Sequence, residues 1–454
     1  MCSVLNIIIV GCGKVGGEIA ERLNDEGDNI TVIDIDAAKV NTLTARLDVL
    51  GVTGNGATHL VQQEAGIRNA DLLIAVTGSD ELNLLCCLIA KKEGNCQTIA
   101  RVRDPQYSSE APYLKEELGL AMVINPEFAA AAEIARVLRF PSAIKIDTFA
   151  KGKIDLMKFR LPEKCVLIGY SVKEIMSKLN CNVLVCTVER GDNAYIPNGD
   201  FVFEEKDIIS IIASPVNANA FFRKIDYKIN QVKDCIIAGG GEIAYYLCRI
   251  LKKTGISLKL IEKNPKRCEE LCTALPDVTV ICGDATDQQT LLEEGLANAN
   301  SFAALTNIDE ENVMLSLFAK TKGCKKLVTK INRIDFFDVI KQLDLDSIIY
   351  PKNITSELIV SHVRAMKNTI GSNVQTVYSI IKGKAEAAEF MIKDSSPVLG
   401  KPLMELRFKP NVLVAVILRG NKVIIPRGSD VIEKNDSVIV VSYIRPHDIS
   451  DILE

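Results

Sequence analysis

The chain has little of the residue chemistry on which many enzymes and metalloproteins depend. Its 454 residues include no tryptophan and only three histidines, His59, His362 and His447. The 14 cysteines form no Cys-x-x-Cys pair, and none stands at zinc-like spacing from a histidine. We therefore expect no metal site and no histidine-based catalytic centre. We interpret the cysteines as reduced, buried thiols of a cytosolic protein.

Two further absences exclude other classes of protein. The 54 basic and 58 acidic residues give no basic excess and no basic run, which argues against a broad nucleic-acid-binding surface. The most apolar stretches, such as Val4–Val10 and Leu84–Ala90, are much shorter than the ~20 residues of a membrane-spanning helix. We also expect no secretory signal, because no basic segment followed by a long apolar one stands near the first residue.

The chain does contain a repeat of nearly half its own length. Ile9–Gly16 reappears as Ile237–Ala244, and Val32–Asp34 reappears as Leu260–Glu262. The offset of 228–229 residues also relates Asn55–Thr58 to Gly283–Thr286, Ala75–Asn83 to Ala304–Asn312, and Asn182–Val185 to Asn411–Val414. Because chance does not maintain one offset over so many segments, we infer a tandem duplication and expect each half to form one structural unit.

Within each half, short β-branched runs alternate with amphipathic helical patterns. In the first half the runs are Asn6–Val10, Asn29–Asp34, Leu72–Val76, Thr98–Val102 and Met122–Ile124. This alternation predicts a parallel sheet covered by helices on both faces, and the β-rich segment that follows predicts a small α+β subdomain. The predicted class is α/β: two Rossmann-like parallel-sheet domains (1–140 and 229–370), each followed by a small α+β subdomain (141–228 and 371–454), with a joint at 226–233.

A glycine-rich turn joins the first strand of the first half to its helix. Gly11 permits the tight turn, Gly13 lets a pyrophosphate approach the backbone, and Gly16 lets the helix pack closely on the strand. Asp34 ends the next strand, where a carboxylate accepts hydrogen bonds from a ribose. The pattern predicts binding of NAD(H) or an adenine nucleotide in preference to NADP, because the acid repels a 2′-phosphate. The alternative is a glycine turn that binds nothing.

The second half repeats this turn with one change of charge. Gly239, Gly240 and Gly241 are followed by Glu242, and Glu262 takes the place of Asp34. Glu242 stands where Lys14 stands in the first half, and a carboxylate near a pyrophosphate weakens binding. We expect the second site to bind more weakly, to prefer another ligand, or to remain empty.

Two further pairs of residues stand at matched strand ends. Thr77 and Thr306 are expected beside a ribose or a ring, and Arg101 and Lys330 are expected to point out at the carboxyl ends of their strands. A surface salt bridge is the alternative explanation for both cations.

Catalytic patterns are missing. No histidine position is repeated between the halves, and no serine elbow, His-Glu-x-x-His motif or P-loop lysine occurs. Two nucleotide-binding folds, each followed by a small β-rich subdomain, favour a sensor protein. We therefore expect no catalytic residue. The alternative is an NAD-dependent oxidoreductase of unknown substrate.

The motifs resemble the RCK (regulator of K⁺ conductance) family, in particular its TrkA branch, whose members contain two such units. The most specific stretches are Ala304–Asn312, Ser361–Arg364 and the repeated Asn-Val-Leu-Val segments. The resemblance implies a regulatory subunit that senses NAD(H), with ATP or ADP as alternatives. The residues that it implies for binding are Gly11, Cys12, Gly13, Lys14, Val15, Asp34, Val76, Thr77 and Arg101, then Gly239, Gly240, Gly241, Glu242, Ile243, Glu262, Leu305, Thr306 and Lys330. Asn55-Gly56 departs from the Gly-Asp of many such units.

The resemblance also implies partners and a location. It implies a homotetramer on the cytoplasmic face of the membrane that gates a membrane-embedded, TrkH/TrkG-like potassium transporter subunit. Tyr195–Pro197 and Ile424–Pro426 of the small subdomains are expected at a dimer contact, and binding of cyclic di-AMP by these subdomains is an alternative.

Overall fold

The structure is a computed structural model. It describes residues 4–140, 145–149, 154–162, 164–191, 193–225, 232–252, 254–332, 340, 343, 345–369, 374–381, 384–393, 396–420, 422–443, 446 and 448–454. His447 and most of the expected joint, residues 226–231, lie outside this part of the chain.

The first half begins with a six-stranded parallel sheet. Its strands are β1 (Asn6–Val10), β2 (Asn29–Asp34), β3 (Leu50–Thr53), β4 (Leu72–Ala75), β5 (Gln97–Arg101) and β6 (Met122–Ile124). Its helices are α1 (Lys14–Asp25), α2 (Ala37–Thr44), α3 (His59–Glu64), α4 (Asp80–Glu93), α5 (Pro105–Ser109), α6 (Ala111–Glu117) and α7 (Pro126–Arg139). The strand order β3-β2-β1-β4-β5-β6 is that of a Rossmann sheet, as predicted.

The local sequence explains the central strands and the first helix. All four residues of β4 are buried, as are the last four of β1, because helices cover both faces of the sheet. Helix α1 buries Ile19, Ala20 and Leu23 on one stripe against the sheet. It begins at Lys14, with Gly13 as its N-cap.

A five-stranded antiparallel sheet follows. It contains β7 (Lys145–Phe149), β8 (Ile154–Arg160), β9 (Leu184–Arg190), β10 (Asn193–Tyr195) and β11 (Ile208–Ala213), with helices α8 (Val172–Leu179) and α9 (Pro215–Lys224). The strand order is β10-β9-β11-β8-β7. Helix α8 begins with a capping box in which Ser171 and Glu174 each accept from the other's backbone N–H.

The second half repeats both sheets. The parallel sheet contains β12 (Asp234–Ala238), β13 (Ser257–Glu262), β14 (Thr279–Cys282), β15 (Ser301–Ala304), β16 (Lys326–Lys330) and β17 (Ser347–Ile349). Its helices are α10 (Glu242–Leu251), α11 (Pro265–Ala274), α12 (Gln288–Glu293), α13 (Asp309–Thr321) and α14 (Pro351–Thr369). The antiparallel sheet contains β18 (Val374–Ile381), β19 (Ala385–Met391), β20 (Val412–Arg419), β21 (Lys422–Ile424) and β22 (Ser437–Ser442). The orders β14-β13-β12-β15-β16-β17 and β18-β19-β22-β20-β21 match those of the first half.

The expectation that each half forms one structural unit is wrong. One compact unit combines the described residues of Ser3–Arg139 and Val232–Val360, and the other combines those of Phe140–Gln231 and Ser361–Glu454. The two parallel-sheet domains therefore belong together, and so do the two small subdomains.

Shared apolar cores explain this pairing. In the first unit, Ile134 and Leu138 of α7 lie in one buried cluster with Leu247 and Leu251 of α10. In the second unit, Leu156 and Cys186 lie in one buried cluster with Ala415, Val416 and Ile439, whose positions belong to the other half. Burial of apolar side chains is the main favourable term in folding, so these mixed cores hold each pair together.

Two expectations from the sequence apply to the whole chain: that no segment spans a membrane, and that the cysteines are reduced, buried thiols. Within the described residues, no helix combines the length and the apolar character required to cross a bilayer. Every described cysteine is a free thiol and most are buried; Cys181 is partly exposed, and Cys272 and Cys282 are exposed.

Candidate functional site

The main candidate site is a cleft of about 930 Å³ at the carboxyl ends of β1 and β4. Strand β1 pairs with β2 on one side and with β4 on the other, so the chain crosses the sheet in opposite directions from this point. Ligands of open α/β sheets bind at such a switch point. The fold therefore places the glycine turn, the strand-end acid and the strand-end threonine in one cleft.

The glycine turn has the shape expected from its sequence. Gly11 has a φ of +105°, and a Cβ atom there would lie 3.0 Å from the carbonyl carbon and oxygen of Val76. Gly13 has nothing within 4 Å of the position of a Cβ atom, so its face opens to the cleft. Among the residues that the structure describes, no side chain caps α1. The first N–H groups of this helix are therefore available to an anion.

Asp34 lies beneath this turn and is held by the backbone. Its Oδ2 accepts from the N–H of Cys12 at 2.7 Å, and its Oδ1 accepts from the N–H of Asp36 at 2.9 Å. A carboxylate oxygen accepts more than one hydrogen bond. Asp34 therefore fixes the turn and keeps acceptor capacity on the cleft side.

Thr77 is bonded to Asn83, which sequence reasoning missed. The N–H and Oγ1 of Thr77 both donate to Asn83 Oδ1, at 2.8 and 2.7 Å, and Asn83 Nδ2 donates to the carbonyl of Arg101 at 2.9 Å. Asn312 makes the same three bonds with Thr306 and Lys330, at 2.9, 2.9 and 3.0 Å. The signal was present, since both asparagines end the matched segments Ala75–Asn83 and Ala304–Asn312. Each asparagine ties together two neighbouring strand ends below a cleft.

Arg101 points out at the end of β5, as expected. Its guanidinium donates to the carbonyl of Thr77, and its buried Nε has no hydrogen-bond partner within the described residues. Burial lowers the pKa of Arg101, and the nearby charge of Arg103 lowers it further. Within the described part of the chain, no carboxylate pairs with Arg101, so the salt-bridge alternative does not describe it.

The first cleft brings together most of the residues expected for it. Its lining includes Gly11, Gly13, Lys14, Val15, Asp34, Val76, Thr77 and Arg101, whereas Cys12 turns its side chain into the core. Burial raises the pKa of the Cys12 thiol to about 12, with Asp34 as a smaller cause.

The other half of the chain completes this cleft. The residues that it contributes are Asn307, Ile308, Asp309, Glu310, Asn332 and Lys352. They lie far away in the sequence, and no local pattern places them in the first cleft. The packing of α7 on α10 brings the two parallel-sheet domains together and so decides which of these residues reach the cleft.

Two smaller clefts, of about 560 and 290 Å³, border the second glycine turn. Both touch the turn at Gly240 and Gly241. Gly239 has a φ of +100°, as Gly11 does, and Glu262 Oε2 accepts from the N–H of Gly240 at 2.7 Å. The larger part includes Gly240, Gly241, Glu242, Ile243, Glu262, Leu305 and Lys330. The smaller part includes Gly239, Gly240, Gly241, Glu262, Leu305 and Thr306.

The charges beside the second turn pair with each other. Glu242, the first residue of α10, lies 3.0 Å from the guanidinium of Arg267, which also donates to the carbonyl of Gly240 at 2.9 Å. In the first half, Lys14 occupies the position of Glu242. The expected difference in charge is therefore present, and it comes with an ion pair across the turn.

Lys330 is almost completely buried, with 6% of its surface exposed. Its Nζ donates to Asn307 Oδ1 at 3.3 Å. Burial lowers the pKa of Lys330, while the nearby charges of Asp309 and Glu127 act in the opposite direction. No carboxylate of the described residues pairs with this lysine, so it faces the larger part of the second site without a surface salt bridge.

Among the described residues, neither histidines nor metal-binding clusters line these clefts. His59 lies 3.0 Å from Glu93 on the outside of the first sheet, and His362 belongs to α14; neither lines a cleft described above. Among the described residues, no group of three or more His, Cys, Asp or Glu side chains is arranged to hold a metal ion.

Comparison with known proteins matches all four parts of the chain to two family models. The TrkA-N domain matches residues 7–126 and 235–351, and the TrkA-C domain matches residues 156–226 and 387–446. The chain is 32% identical over 446 residues to Trk system potassium uptake protein TrkA homolog 1 of Methanosarcina mazei, covering 96% of this chain and 97% of that protein. It is 31% identical over 445 residues to Trk system potassium uptake protein TrkA of Haemophilus influenzae, covering 96% and 95%.

Solved structures agree on the fold. A structure described as the GsuK channel has a TM-score of 0.64 and 16% identity, covering 97% of this chain and 77% of that one. The GsuK channel bound to NAD gives the same values. At this identity the likeness speaks for the fold alone.

Proposed function

This chain belongs to the TrkA family, and from that premise we propose that it is a nucleotide-sensing regulatory subunit that gates a membrane potassium uptake system. The observation that carries the proposal is the doubled glycine turn. Each copy lies at a sheet switch point, with a strand-end carboxylate beneath it.

The proposed ligand is NAD(H), with ATP and ADP as alternatives. The proposed binding residues are Gly11, Cys12, Gly13, Lys14, Val15, Asp34, Val76, Thr77 and Arg101 in the first half, with Gly239, Gly240, Gly241, Glu242, Ile243, Glu262, Leu305, Thr306 and Lys330 in the second. Cys12 would act through its backbone, since its N–H holds Asp34 and its side chain is buried.

The first cleft suits such a ligand in three respects. The open face of Gly13 and the uncapped start of α1 suit a pyrophosphate. Asp34 keeps acceptor capacity for ribose hydroxyl groups. Lys14 and Lys39 line the same cleft and supply positive charge. In this role the chain's own residues bind and orient the nucleotide, and no bond is made or broken.

We further propose an assembly that converts binding into gating. Four chains would form a homotetramer on the cytoplasmic face of the membrane, in contact with a TrkH/TrkG-like transporter subunit. Each chain would contain domains at 1–140, 141–228, 229–370 and 371–454. A nucleotide that binds one arrangement of this assembly more tightly than another shifts the equilibrium by its differential affinity.

Ion flux tests the proposal directly. The purified chain is reconstituted with its membrane partner, and potassium flux is measured with and without NADH, ATP and ADP. We expect at least one of these nucleotides to change the flux, and Asp34→Ala to weaken that response. Asp48→Ala, which removes an exposed carboxylate outside the cleft, is the matched control. Unchanged flux under all three nucleotides contradicts the proposal.

The glycine turn also raises the alternative of an NAD-dependent oxidoreductase. A dehydrogenase needs a proton donor beside the reacting carbon, and we assign no residue to that role. Loss of NADH absorbance when a candidate metabolite is added to the purified chain would support this alternative and contradict the regulatory proposal.

A further inference from the structure

The two clefts differ in charge at matched positions. Lys14 begins α1 beside the first turn, and Glu242 begins α10 beside the second. A second pair reaches across from the other half: Lys352, the second residue of α14, lines the first cleft, and Glu127, the second residue of α7, lines the second. At both positions the first cleft therefore has a cation where the second has a carboxylate.

All the charged residues that line the first cleft and the larger part of the second show the same difference in charge. Four cations and three carboxylates line the first cleft, whereas three cations and four carboxylates line the larger part of the second. Two like charges repel each other more strongly in a cleft with a low dielectric constant than they do in water. A pyrophosphate or triphosphate is therefore favoured by the first lining and disfavoured by the second.

Arg267 adds a physical obstacle in the second site. Its Nε donates to the carbonyl of Gly240 at 2.9 Å, its Nη2 to Glu242 at 3.0 Å and its Nη1 to Glu270 at 3.0 Å. The guanidinium is thus bound across the glycine turn. Lys39, at the matched position in the first half, lies 3.5 Å from Asp36. Lys14 and Lys39, which occupy the positions of Glu242 and Arg267, are both cations and cannot form this ion pair with each other.

The shapes of the clefts agree with this difference. The first cleft is continuous, at about 930 Å³, and runs from the glycine turn to Lys352. The second turn borders two smaller clefts: one of about 560 Å³ is lined by Glu242 and Arg267, and one of about 290 Å³ is lined by Thr306. Glu262 lines both parts, whereas Glu242 and Arg267 line only the larger one, so phosphates that extend past the turn into the larger part meet Glu242.

We propose that the two sites have different ligand classes. The first takes a dinucleotide or nucleoside triphosphate, and the second takes a nucleoside with at most one phosphate, with Glu242 and Arg267 as its specificity-determining residues. The inference rests on the proposed function and narrows it, because NAD(H), ATP or ADP then bind the first site only and the second site takes a smaller ligand.

Binding stoichiometry tests the inference. Isothermal titration calorimetry of the full chain is performed with NADH, ATP, AMP and adenosine. For the unmodified chain we expect one NADH or ATP per chain. We also expect AMP or adenosine to bind once per chain after NADH has saturated the first site. Glu242→Lys, which introduces the residue found in the first half, should add a second site for NADH or ATP and tighten binding there by about tenfold or more. Lys14→Glu should weaken the first site by a similar factor.

Controls separate the inference from the function on which it rests. Glu269→Lys makes the same change of charge at an exposed position of α11, the helix that contains Arg267, and should leave the stoichiometry at one. Glu242→Gln, which removes the negative charge without adding a positive one, serves as a second variant. Two equal NADH sites in the unmodified chain, or no change in either Glu242 variant, would overturn the inference and leave the proposed function standing. No heat with any of the four compounds would contradict both.

Discussion

The small antiparallel sheets offer a quantitative test, because each contains the same ion pair between a partly exposed arginine and a buried aspartate. Asp207 is completely buried and accepts from Arg190 Nε and Nη2, both at 2.8 Å, and from the N–H of Glu204 at 2.9 Å. In the second subdomain, Asp436 accepts from Arg419 at 3.0 and 2.9 Å and from the N–H of Glu433 at 2.8 Å. The same experiment can therefore be repeated independently in the second subdomain.

Arg190→Met should destabilise the first small subdomain strongly. The substitution removes both charge-assisted hydrogen bonds to Asp207, each of which contributes about 1.5–3 kcal/mol. Leaving a buried charge without its partner costs about 3–5 kcal/mol. The double variant Arg190→Met/Asp207→Leu should cost clearly less, because no uncompensated charge remains in the core.

Hydrogen exchange is the appropriate assay, since one melting temperature does not describe a chain of several domains. If the amides of β11 exchange through opening of this sheet, a loss of about 3–5 kcal/mol accelerates them by two to four orders of magnitude. Arg419→Met should accelerate β22 in the same way, and Glu205→Ala, at an exposed position, should change neither strand. Equal protection of β11 in the single variant and the unmodified chain would refute the reasoning.

Three other outcomes follow from the first parallel-sheet domain. Gly11→Ala forces a side chain into a left-handed φ against Val76, so we expect a loss of roughly 1–2 kcal/mol, measured by hydrogen exchange of β1 and β4, and weaker nucleotide binding, measured by calorimetry. Burial raises the pKa of Glu127, so its contribution to stability is present at low pH and is lost as the pH rises through its folded-state pKa. Glu127→Gln should therefore be more stable than the unmodified chain at neutral pH, and unfolding curves between pH 4 and 8 should show this, with exposed Glu116→Gln as the control. Asn83→Ala leaves the ends of β4 and β5 without their shared bonds and should cost about 1–3 kcal/mol; unchanged hydrogen exchange of β4 and β5 would contradict this role.

Local motifs predicted the elements around the first cleft well. The expected strands Asn6–Val10 and Asn29–Asp34 have those bounds in the structure, and the expected strand Thr98–Val102 is shifted by one residue. Glycine spacing and a strand-end acid determine this geometry over fewer than 30 residues, so no distant contact is needed to infer it.

The sequence did not predict β3, and the reason lies in the residues of this strand. Its four residues Leu50–Thr53 form an edge strand, and only Val52 is buried. A strand with a single buried side chain has no alternation of apolar and polar residues to detect. Its existence depends on its pairing with β2, which the pattern of its own residues does not reveal.

The sequence by itself determined the duplication, the class of each domain and the residues of each glycine turn, because these depend on repeats and on contacts between near neighbours. Only the tertiary structure decided which domains share a core, and that Lys352 completes the first cleft while Glu127 lines the second. Those contacts join residues more than a hundred positions apart. They depend on the close packing of whole helix faces, such as α7 on α10, which no short pattern in the chain specifies.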